Sequence, residues 1–545
     1  MKHLKRTAAI LSFAASLWIV LAVLFVGKNA AYPEWAKTKS LLPNGVLLVL
    51  YAGILVGMIW CIRLFRSKSP RFSKFLDFLQ KYYSVFLTAG CIGLLAAEWY
   101  ISWQMLFYAG WDVSIVSGSA DHIWKEGGGI GNFYYYSQYT NNIAIVSILS
   151  LVRSIYVHGR ELLGQYYYFA TVWVGCLQIT LAGAALAGCV RQITGSRLWA
   201  LFSFAWYAKF IGINPWMVVP YTDTYTILFP ILTIYLYIQS RKAQGDKRKL
   251  FFLFLAGLAG GYAYLIKPPA VIALLAVVIA ELLELVFGCA AYKRILSLFR
   301  LFMLAVSALV VFSIWQGMLE YSGVIRNPDI ALSPTHYLMM GLNEGNNGAY
   351  NAEDYGFTSS QPNRTTARKE NLRVVKERLR EMGPGGYAVF MGRKQLLNYN
   401  DGTFAWGQEG GFEIGRPLVE QTLTRQRLER VLRTEGDFYC LFATYVQGHW
   451  VLILTGMSLF LWQLIGSLYG NTTQNAAGED AGVVMAIALL GTFLYVMLFE
   501  ARARYLYNMS PVFLLAGVLG IRRVVEVCAR KVQESKRTNR ENKKN

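Results

Sequence analysis

Residues 84–108 read SVFLTAGCIGLLAAEWYISWQMLFY, and Ala109-Gly110-Trp111-Asp112 follow at once. The apolar run is long enough to cross a bilayer, which takes about 20 residues in a helix. A carboxylate at the end of a membrane span is costly and usually has a function. This stretch therefore predicts a transmembrane helix and marks Asp112 as a candidate functional residue.

The composition extends this prediction to the whole chain. Apolar residues make up 55% and charged residues 16% of the 545 residues, which is typical of an all-α protein with many membrane spans. The net charge of +21 comes from short loops and the tail beyond Arg522, where cations favour cytoplasmic retention over nucleic-acid binding. The seven cysteines lack the spacing of metal ligands, so we predict no metal site from them.

The positive charges also determine the predicted topology. Segment 143–156 is apolar but short, and it carries Arg153. If this segment crossed the membrane, the basic loop 241–249 would lie outside the cell. If it lies on the outer surface as an interfacial helix, that loop and the tail stay in the cytoplasm, as the positive-inside rule favours. We therefore predict about twelve spans with both termini cytoplasmic. The predicted spans are 8–27, 44–64, 84–108, 166–190, 198–213, 222–240, 250–266, 270–288, 297–317, 446–466, 482–499 and 506–521.

The spans divide the chain into five predicted parts. The largest polar region contains two predicted helices, 366–380, ended by Gly383-Pro384-Gly385, and 417–433. The parts are an additional N-terminal two-span hairpin with a basic loop (1–83), a membrane core with a long outer loop at 109–165 (84–317), a small, mainly helical outer domain (318–445), the last spans (446–521) and a basic cytoplasmic tail (522–545).

Five charged residues fall at the outer ends of these spans, and each has a simpler structural explanation. Asp112 or Asp223 could cap a helix. Lys267, before Pro268-Pro269, could be an ordinary loop lysine, but the prolines break the helix where only protein or a water-filled cavity tolerates exposed backbone. Arg504 could pair with Glu500 along a helix. Arginines on the outer side nevertheless oppose the usual charge bias, so Arg502 and Arg504 indicate an anionic ligand.

Four sequence segments carry a family resemblance: Pro220-Tyr-Thr-Asp-Thr224, Leu265-Ile-Lys-Pro268, Pro334-Thr-His-Tyr-Leu-Met-Met-Gly-Leu-Asn343 and Glu500-Ala-Arg-Ala-Arg-Tyr505. They resemble the GT-C glycosyltransferases, which include the protein O-mannosyltransferases and the aminoarabinose transferase. The likeness covers most of residues 84–521 and is strongest to a branch found in Gram-positive bacteria. The first acid stands in Trp-Asp-Val here, where many members have an Asp-Glu pair.

The resemblance implies an integral membrane enzyme with a GT-C-like architecture. It would move a sugar, with inversion, from a polyprenyl-phosphate donor to a hydroxyl of a glycan, glycolipid or protein on the outer face of a bacterial cell membrane. Asp112 would be the general base and Asp223 a second catalytic residue that orients the sugar or Asp112. The donor phosphate would bind Lys267, Arg502, Arg504 and Tyr505. No cofactor is implied, and a divalent metal stays open. The expected substrate-binding residues are Asp121, His122, Tyr139, Tyr221, His336 and Asn343.

Two other classes of protein also fit a basic chain with many spans. A flippase or other transporter of lipid-linked sugars would be expected to show internal repeats and charges near the membrane midplane. A non-enzymatic scaffold would present the outer domain without needing cations outside the membrane. The sequence has no clear repeat, and its notable charges lie at the outer edge, which favours the enzyme.

Overall fold

The computed structural model describes residues 2–26, 39–126, 128–157, 167–288, 290–410, 420–470 and 476–541, and the elements in these ranges are helices. The predicted all-α fold is therefore confirmed. The N-terminal half contains α1 (Lys2–Phe25), α2 (Asn44–Lys68), α3 (Pro70–Lys81), α4 (Tyr83–Gln104), α5 (Trp111–Glu126), α6 (Tyr134–Gln138), α7 (Asn142–Val157), α8 (Tyr167–Thr194), α9 (Arg197–Tyr207), α10 (Thr222–Thr226), α11 (Leu228–Lys242) and α12 (Asp246–Ile266).

The C-terminal half continues in the same way. Two short 3₁₀ turns lie beside the candidate functional residues. Pro268–Val271 follows Lys267, and Ala503–Met509 follows Arg502. The helices are α13 (Ile272–Phe287), α14 (Ala291–Ser322), α15 (Pro334–Met340), α16 (Ala352–Ser359), α17 (Arg364–Tyr399), α18 (Trp406–Glu409), α19 (Leu423–Leu432), α20 (Tyr439–Tyr469), α21 (Ala476–Leu498) and α22 (Ser510–Glu541).

Nine helices in the described ranges are long and apolar enough to cross a membrane. The predicted spans 198–213 and 222–240 differ from these because their helices are interrupted. Helix α9 ends at Tyr207 and passes into a π-helical turn, and α11 is separated from the short α10 at Ile227. The predicted span 506–521 begins as a 3₁₀ turn before α22. The total of twelve spans stays a prediction.

The ambiguous segment 143–156 is helical, as predicted, and forms α7. Its Arg153 is fully buried and donates to the carbonyl and hydroxyl oxygens of Ser117 in α5, at 2.7 Å each. Helix α7 therefore packs against the helix that starts at Trp111, and it fixes the position of α5.

Residues 318–445, which we call the outer region after their predicted location, are mainly helical, but the helix boundaries differ from the prediction. The helix predicted at 366–380 begins at Arg364; left-handed Gly383 (φ 59°) interrupts it, and the chain then resumes a helix that reaches Tyr399. The helix predicted at 417–433 begins only at Leu423 in the described residues, because Thr422 caps it by accepting from the Arg425 amide. Positions 417–419 of that prediction lie outside the described residues.

The second half of α17 holds the loop that carries Arg502 and Arg504. Lys394 donates to the carbonyl oxygens of Gly341 (2.5 Å) and Phe499 (2.6 Å). Asn398 donates to the carbonyl of Val496 and accepts from the Arg502 amide at 2.8 Å. Because buried backbone groups need partners, these bonds set the path of the loop. The outer region thus positions the loop after α21.

Candidate functional site

Asp112 lies in the first turn of α5, after a strained residue. Trp111 has a φ of 45°, in the left-handed region that non-glycine residues rarely adopt. The hydroxyl of Tyr221 donates to Oδ2 of Asp112 at 3.3 Å, and the Tyr135 hydroxyl also hydrogen-bonds to Asp112. The free N–H groups of a helix N-terminus favour a carboxylate at this position. Hydrogen bonds therefore hold the Asp112 carboxylate in position, and the residue stays partly exposed to solvent.

Asp223 lies inside the first turn of α10, whose N-cap is Tyr221, and it pairs with Lys267. Nζ of Lys267 donates to Oδ1 of Asp223, and the two side chains are 7% and 2% exposed. Lys267 follows the last residue of α12 in an extended conformation, which a residue before proline favours. The predicted second acid and the predicted junction lysine thus form one buried ion pair.

Arg502 and Arg504 bind a carboxylate that the sequence did not single out, Glu409 of α18. Oε1 of Glu409 accepts from Nη1 of Arg502 at 2.7 Å, and Oε2 lies 2.6 Å from Nη1 of Arg504. Nε of Arg504 lies 3.6 Å from Oδ2 of Asp223, so this arginine connects the Glu409 contact to the Asp223–Lys267 pair. We call Asp223, Lys267, Glu409, Glu500, Arg502 and Arg504 the charged cluster.

Aromatic rings enclose the Arg504 guanidinium. Its Cζ lies 4.4 Å from the ring centre of Trp111, 5.8 Å from that of Trp216 and 6.0 Å from that of Tyr221. Arginine stacks on aromatic faces better than lysine does because its charge is spread over a plane. Trp111 therefore joins the two parts of the site, since Asp112 follows it in the chain and Arg504 packs on its ring.

Several buried polar atoms of the charged cluster have no hydrogen-bond partner within the described part of the chain. They are Nε of Arg502, Nε and Nη1 of Arg504, and Oδ2 of Asp223. Arg504 Nη1 is close enough to Glu409 for an ion pair, but its N–H groups are not directed at that oxygen. Buried donors are normally satisfied. Among the described residues, the Nε–H groups of the two arginines are therefore unused donors that suit an anionic oxygen, while Glu409 lies against Nη1 of each arginine.

The environment shifts the pKa values of several groups around the site. Burial raises the pKa of Glu500, and the neighbouring arginines oppose that shift. Burial acts to lower the pKa of Arg504, but the charges of Glu409 and Asp223 outweigh it and raise that pKa above its ordinary value. Burial, with the nearby charge of Asp112, raises the pKa of Tyr135. The arginine and tyrosine therefore stay protonated at neutral pH.

Two tyrosine side chains, Tyr135 and Tyr139, lie beside Asp112. The ring of Tyr139 lies 5.0 Å from that of Tyr135, and burial raises the pKa of Tyr139, with smaller contributions from Tyr337, Tyr355 and Asp112. These side chains combine flat apolar faces with hydroxyl groups, which suit contact with a sugar ring. Of the predicted substrate-binding residues, Tyr139 and Tyr221 are thus near Asp112.

The other four predicted substrate-binding residues have local contacts of their own or are exposed, and the ring of His336 lies 5.0 Å from that of Tyr337, one of the tyrosines that affect the pKa of Tyr139. Asp121 is about two and a half turns beyond Asp112 on α5 and binds Nη1 of Arg153 at 2.8 Å. His122, next to it, is exposed. His336 is buried against Thr358 at 2.8 Å, and Asn343 donates to Asp354 at 2.9 Å. The substrate-binding role of these four residues therefore stays a prediction.

Glu409 and Trp216 were missed because their local sequences carry no signal. Glu409 resembles any polar loop residue, and Trp216 resembles an aromatic anchor at the membrane interface. Glu409 and Trp216 both contact Arg504, and only the tertiary fold brings these distant parts of the chain together. Within the described ranges, no group of three or more His, Cys, Asp or Glu side chains is arranged to hold a metal.

The fold and the site define an integral membrane protein with a buried charged cluster beside an accessible carboxylate. The chain belongs to a family described as conserved hypothetical integral membrane protein, whose model matches residues 14–525. No curated protein matches the chain.

Solved structures similar to the chain include the oligosaccharyltransferase of Archaeoglobus fulgidus tethered to an acceptor peptide, at 11% identity and a TM-score of 0.39, covering 83% of this chain and 50% of that one. The apo form of that protein gives 10% and 0.38, covering 82% and 52%. ArnT from Cupriavidus metallidurans bound to undecaprenyl phosphate gives 14% and 0.30, covering 74% and 77%.

Both proteins are GT-C glycosyltransferases, the class that the sequence motifs resemble. The chain spans about half the length of the oligosaccharyltransferase. Because each TM-score is below 0.5, we base the functional proposal on the charged cluster.

Proposed function

We propose that the protein is a membrane glycosyltransferase that moves a sugar from a polyprenyl-phosphate donor to an acceptor hydroxyl. The observation that carries the proposal is the pair of buried guanidinium groups of Arg502 and Arg504, whose Nε donors have no hydrogen-bond partner among the described residues. Trp111 connects Arg504 to Asp112. Arginine is suited to bind phosphate because its planar donors match two phosphate oxygens. The site thus supplies an anion-binding part and a candidate base.

In the proposed reaction, Asp112 removes the proton of the acceptor hydroxyl. The acceptor oxygen forms a bond to the anomeric carbon while the bond from that carbon to the phosphate oxygen breaks. The electron pair of the broken bond goes to the phosphate, and attack from the opposite side inverts the anomeric configuration. General base catalysis of this kind contributes roughly 10²–10⁴-fold to a rate.

The negative charge that develops on the leaving phosphate is held by the cations of the cluster. Arg502, Arg504 and Lys267, with the Tyr505 hydroxyl, are the proposed phosphate-binding residues. Such groups stabilise a transition state best when they are fixed before the reaction. Here Asp223 fixes Lys267, and α17 fixes the loop of Arg502.

The proposed reaction takes place on the outer face of a bacterial cell membrane, with both termini in the cytoplasm. The support for this orientation is the excess of positive charge in the loops and tail that it leaves inside. A glycan, a glycolipid and a protein are the candidate acceptors, and the proposed role is modification of the cell envelope.

The experiment uses membranes that contain the full chain and a panel of polyprenyl-phosphate hexoses and pentoses with labelled sugar. We expect the wild type to release polyprenyl phosphate and transfer the label to an envelope acceptor. Asp112→Asn should be produced in equal amount but lose transfer by at least about 100-fold. The matched control is Asp329→Asn, because Asp329 is exposed in the outer region.

Three outcomes separate the classes of protein. Loss of transfer in Asp112→Asn alone supports the enzyme. Movement of intact donor across the membrane without release of polyprenyl phosphate identifies a flippase and contradicts the proposal. Full transfer by Asp112→Asn removes Asp112 from the mechanism.

A further inference from the structure

The Glu409 carboxylate contacts Arg502 and Arg504 in the way that two phosphate oxygens would. Each of its carboxylate oxygens faces a different guanidinium, at 2.7 Å for Arg502 and 2.6 Å for Arg504. The Glu409 side chain is 8% exposed, so this contact is shielded from solvent. A carboxylate that bridges two arginines is a direct competitor for an anion that needs the same donors.

The charge balance of the cluster makes this competition strong. Lys267, Arg502 and Arg504 bring three positive charges, and Asp223, Glu409 and Glu500 bring up to three negative ones. Even with Glu500 protonated, Asp223 and Glu409 leave only one positive charge in excess. A phosphate added to this set would place anionic oxygens beside Glu409 at low dielectric, where like charges repel strongly.

The backbone before Glu409 is held in an unusual conformation. Phe404 and Ala405 both have left-handed φ values, 55° and 63°, and the amide of Ala405 donates to Asp401 at 2.9 Å. Trp406 anchors the same turn by donating to the carbonyl of Leu432 at 2.7 Å. Glu409 is the last residue of α18, so rotation of its side chain alone can release the arginines while the anchored turn stays in place.

We propose that Glu409 is an internal counter-ion that neutralises Arg502 and Arg504 in the free protein and is displaced by the phosphate of a polyprenyl-phosphate ligand. This inference rests on the proposed function. It assigns Glu409 the role of a positioning residue that keeps the buried arginines in place without ligand. It also predicts that donor affinity is lower than the arginines alone would give, because each binding event must break two ion pairs.

The experiment compares binding of polyprenyl monophosphate and of the uncharged polyprenol to the full-length protein in nanodiscs. Glu409→Gln keeps the shape of the side chain but removes its charge. We expect it to bind polyprenyl monophosphate about tenfold more tightly than the wild type does, with unchanged affinity for polyprenol. The matched control, Glu353→Gln at an exposed outer position, should leave both affinities unchanged.

A second variant serves if Glu409→Gln does not fold. Glu409→Asp keeps the charge but is one methylene too short to reach both arginines, so it should also tighten binding of the monophosphate, by less. Equal or weaker monophosphate binding by the folded variants overturns the role of Glu409, because Glu409 would then only organise the arginines.

The two lipids also separate this inference from the proposed function. If the wild type prefers the monophosphate to polyprenol but the variants gain nothing, only the Glu409 inference fails. If neither the wild type nor the variants distinguish the two lipids, both the inference and the proposed donor class are overturned.

Discussion

Asp223 and Lys267 are 44 residues apart in the chain and form an ion pair that is almost completely buried. Asp223 lies in the first turn of α10 and Lys267 directly follows α12, so the ion pair connects the ends of two helices. Burying two charges is costly, and removing only one of them leaves the other without its partner. The pair therefore gives a direct test of what holds the site together.

Lys267→Met should lower the apparent melting temperature of the detergent-solubilised protein, because Asp223 would lose its main partner. For a buried pair, loss of one member costs about 3–5 kcal/mol, and the 3.6 Å contact from Arg504 should reduce that cost here. The double variant Asp223→Asn/Lys267→Met should recover part of the loss. A double variant less stable than both single ones would show that the pair does not couple in this way.

Arg504→Lys should weaken use of the donor while the protein remains folded. Lysine keeps the charge, but it cannot stack on Trp111 and face Asp223 and Glu409 at the same time. We expect KM for the polyprenyl-phosphate sugar to rise about tenfold or more. Arg373→Lys is the control because Arg373 is exposed; an equal KM in the two variants would argue against phosphate binding by Arg504.

Tyr221→Phe should lower kcat and leave KM for the donor nearly unchanged. The substitution removes the hydroxyl that donates to Asp112 at 3.3 Å, so the proposed base is less well oriented. The ring that lies 5.2 Å from Trp111 is retained, and the arginine contacts should persist. Steady-state kinetics measure both constants, and a rise in KM alone would place the hydroxyl at the donor instead of at the base.

Lys394 should make the stability of the outer region depend on pH. Burial lowers the pKa of Lys394 to about 7, whereas an unfolded lysine titrates near about 10.4. Between these values the unfolded chain binds more protons than the folded one, so stability should rise as pH increases from about 7 towards about 10. Lys394→Met should flatten this rise, which melting curves between pH 7 and pH 9 would measure. A wild-type profile with the opposite slope would contradict the lowered pKa.

The sequence predicted the charged residues better than it predicted their partners. Asp112, Asp223, Lys267 and Arg504 stood out because charges at the ends of spans are costly, and that reasoning needs no tertiary structure. The all-α membrane fold followed from hydropathy in the same way. The breaks at Tyr207 and Ile227 did not follow, because hydropathy measures polarity and contains no information on where a helix changes its hydrogen bonding.

The partners depend on contacts between distant parts of the chain. Asp121 looked similar to Asp112 in the sequence, but it forms an ion pair with Arg153 on another helix, a partner that no local pattern predicts. Glu409 had no distinguishing neighbours, although it binds two of the predicted cations. Such a pair depends on how the outer region packs against the rest of the chain. No local pattern in a single sequence indicates that packing.

The anchoring of the loop between Val496 and Arg502 also has a thermodynamic consequence. Lys394 and Asn398 hold this loop from the outer region, and the amide of Ala501 donates to the carbonyl of Gly348 at 2.7 Å. A molecule that shifts the outer region on binding must therefore also shift the arginines. Linkage is reciprocal, so a ligand of the outer region and a donor that reorders the arginines would change each other's affinity by the same factor. A ligand of the outer region and a donor phosphate at the arginines would then be coupled through four hydrogen bonds to the backbone of this loop.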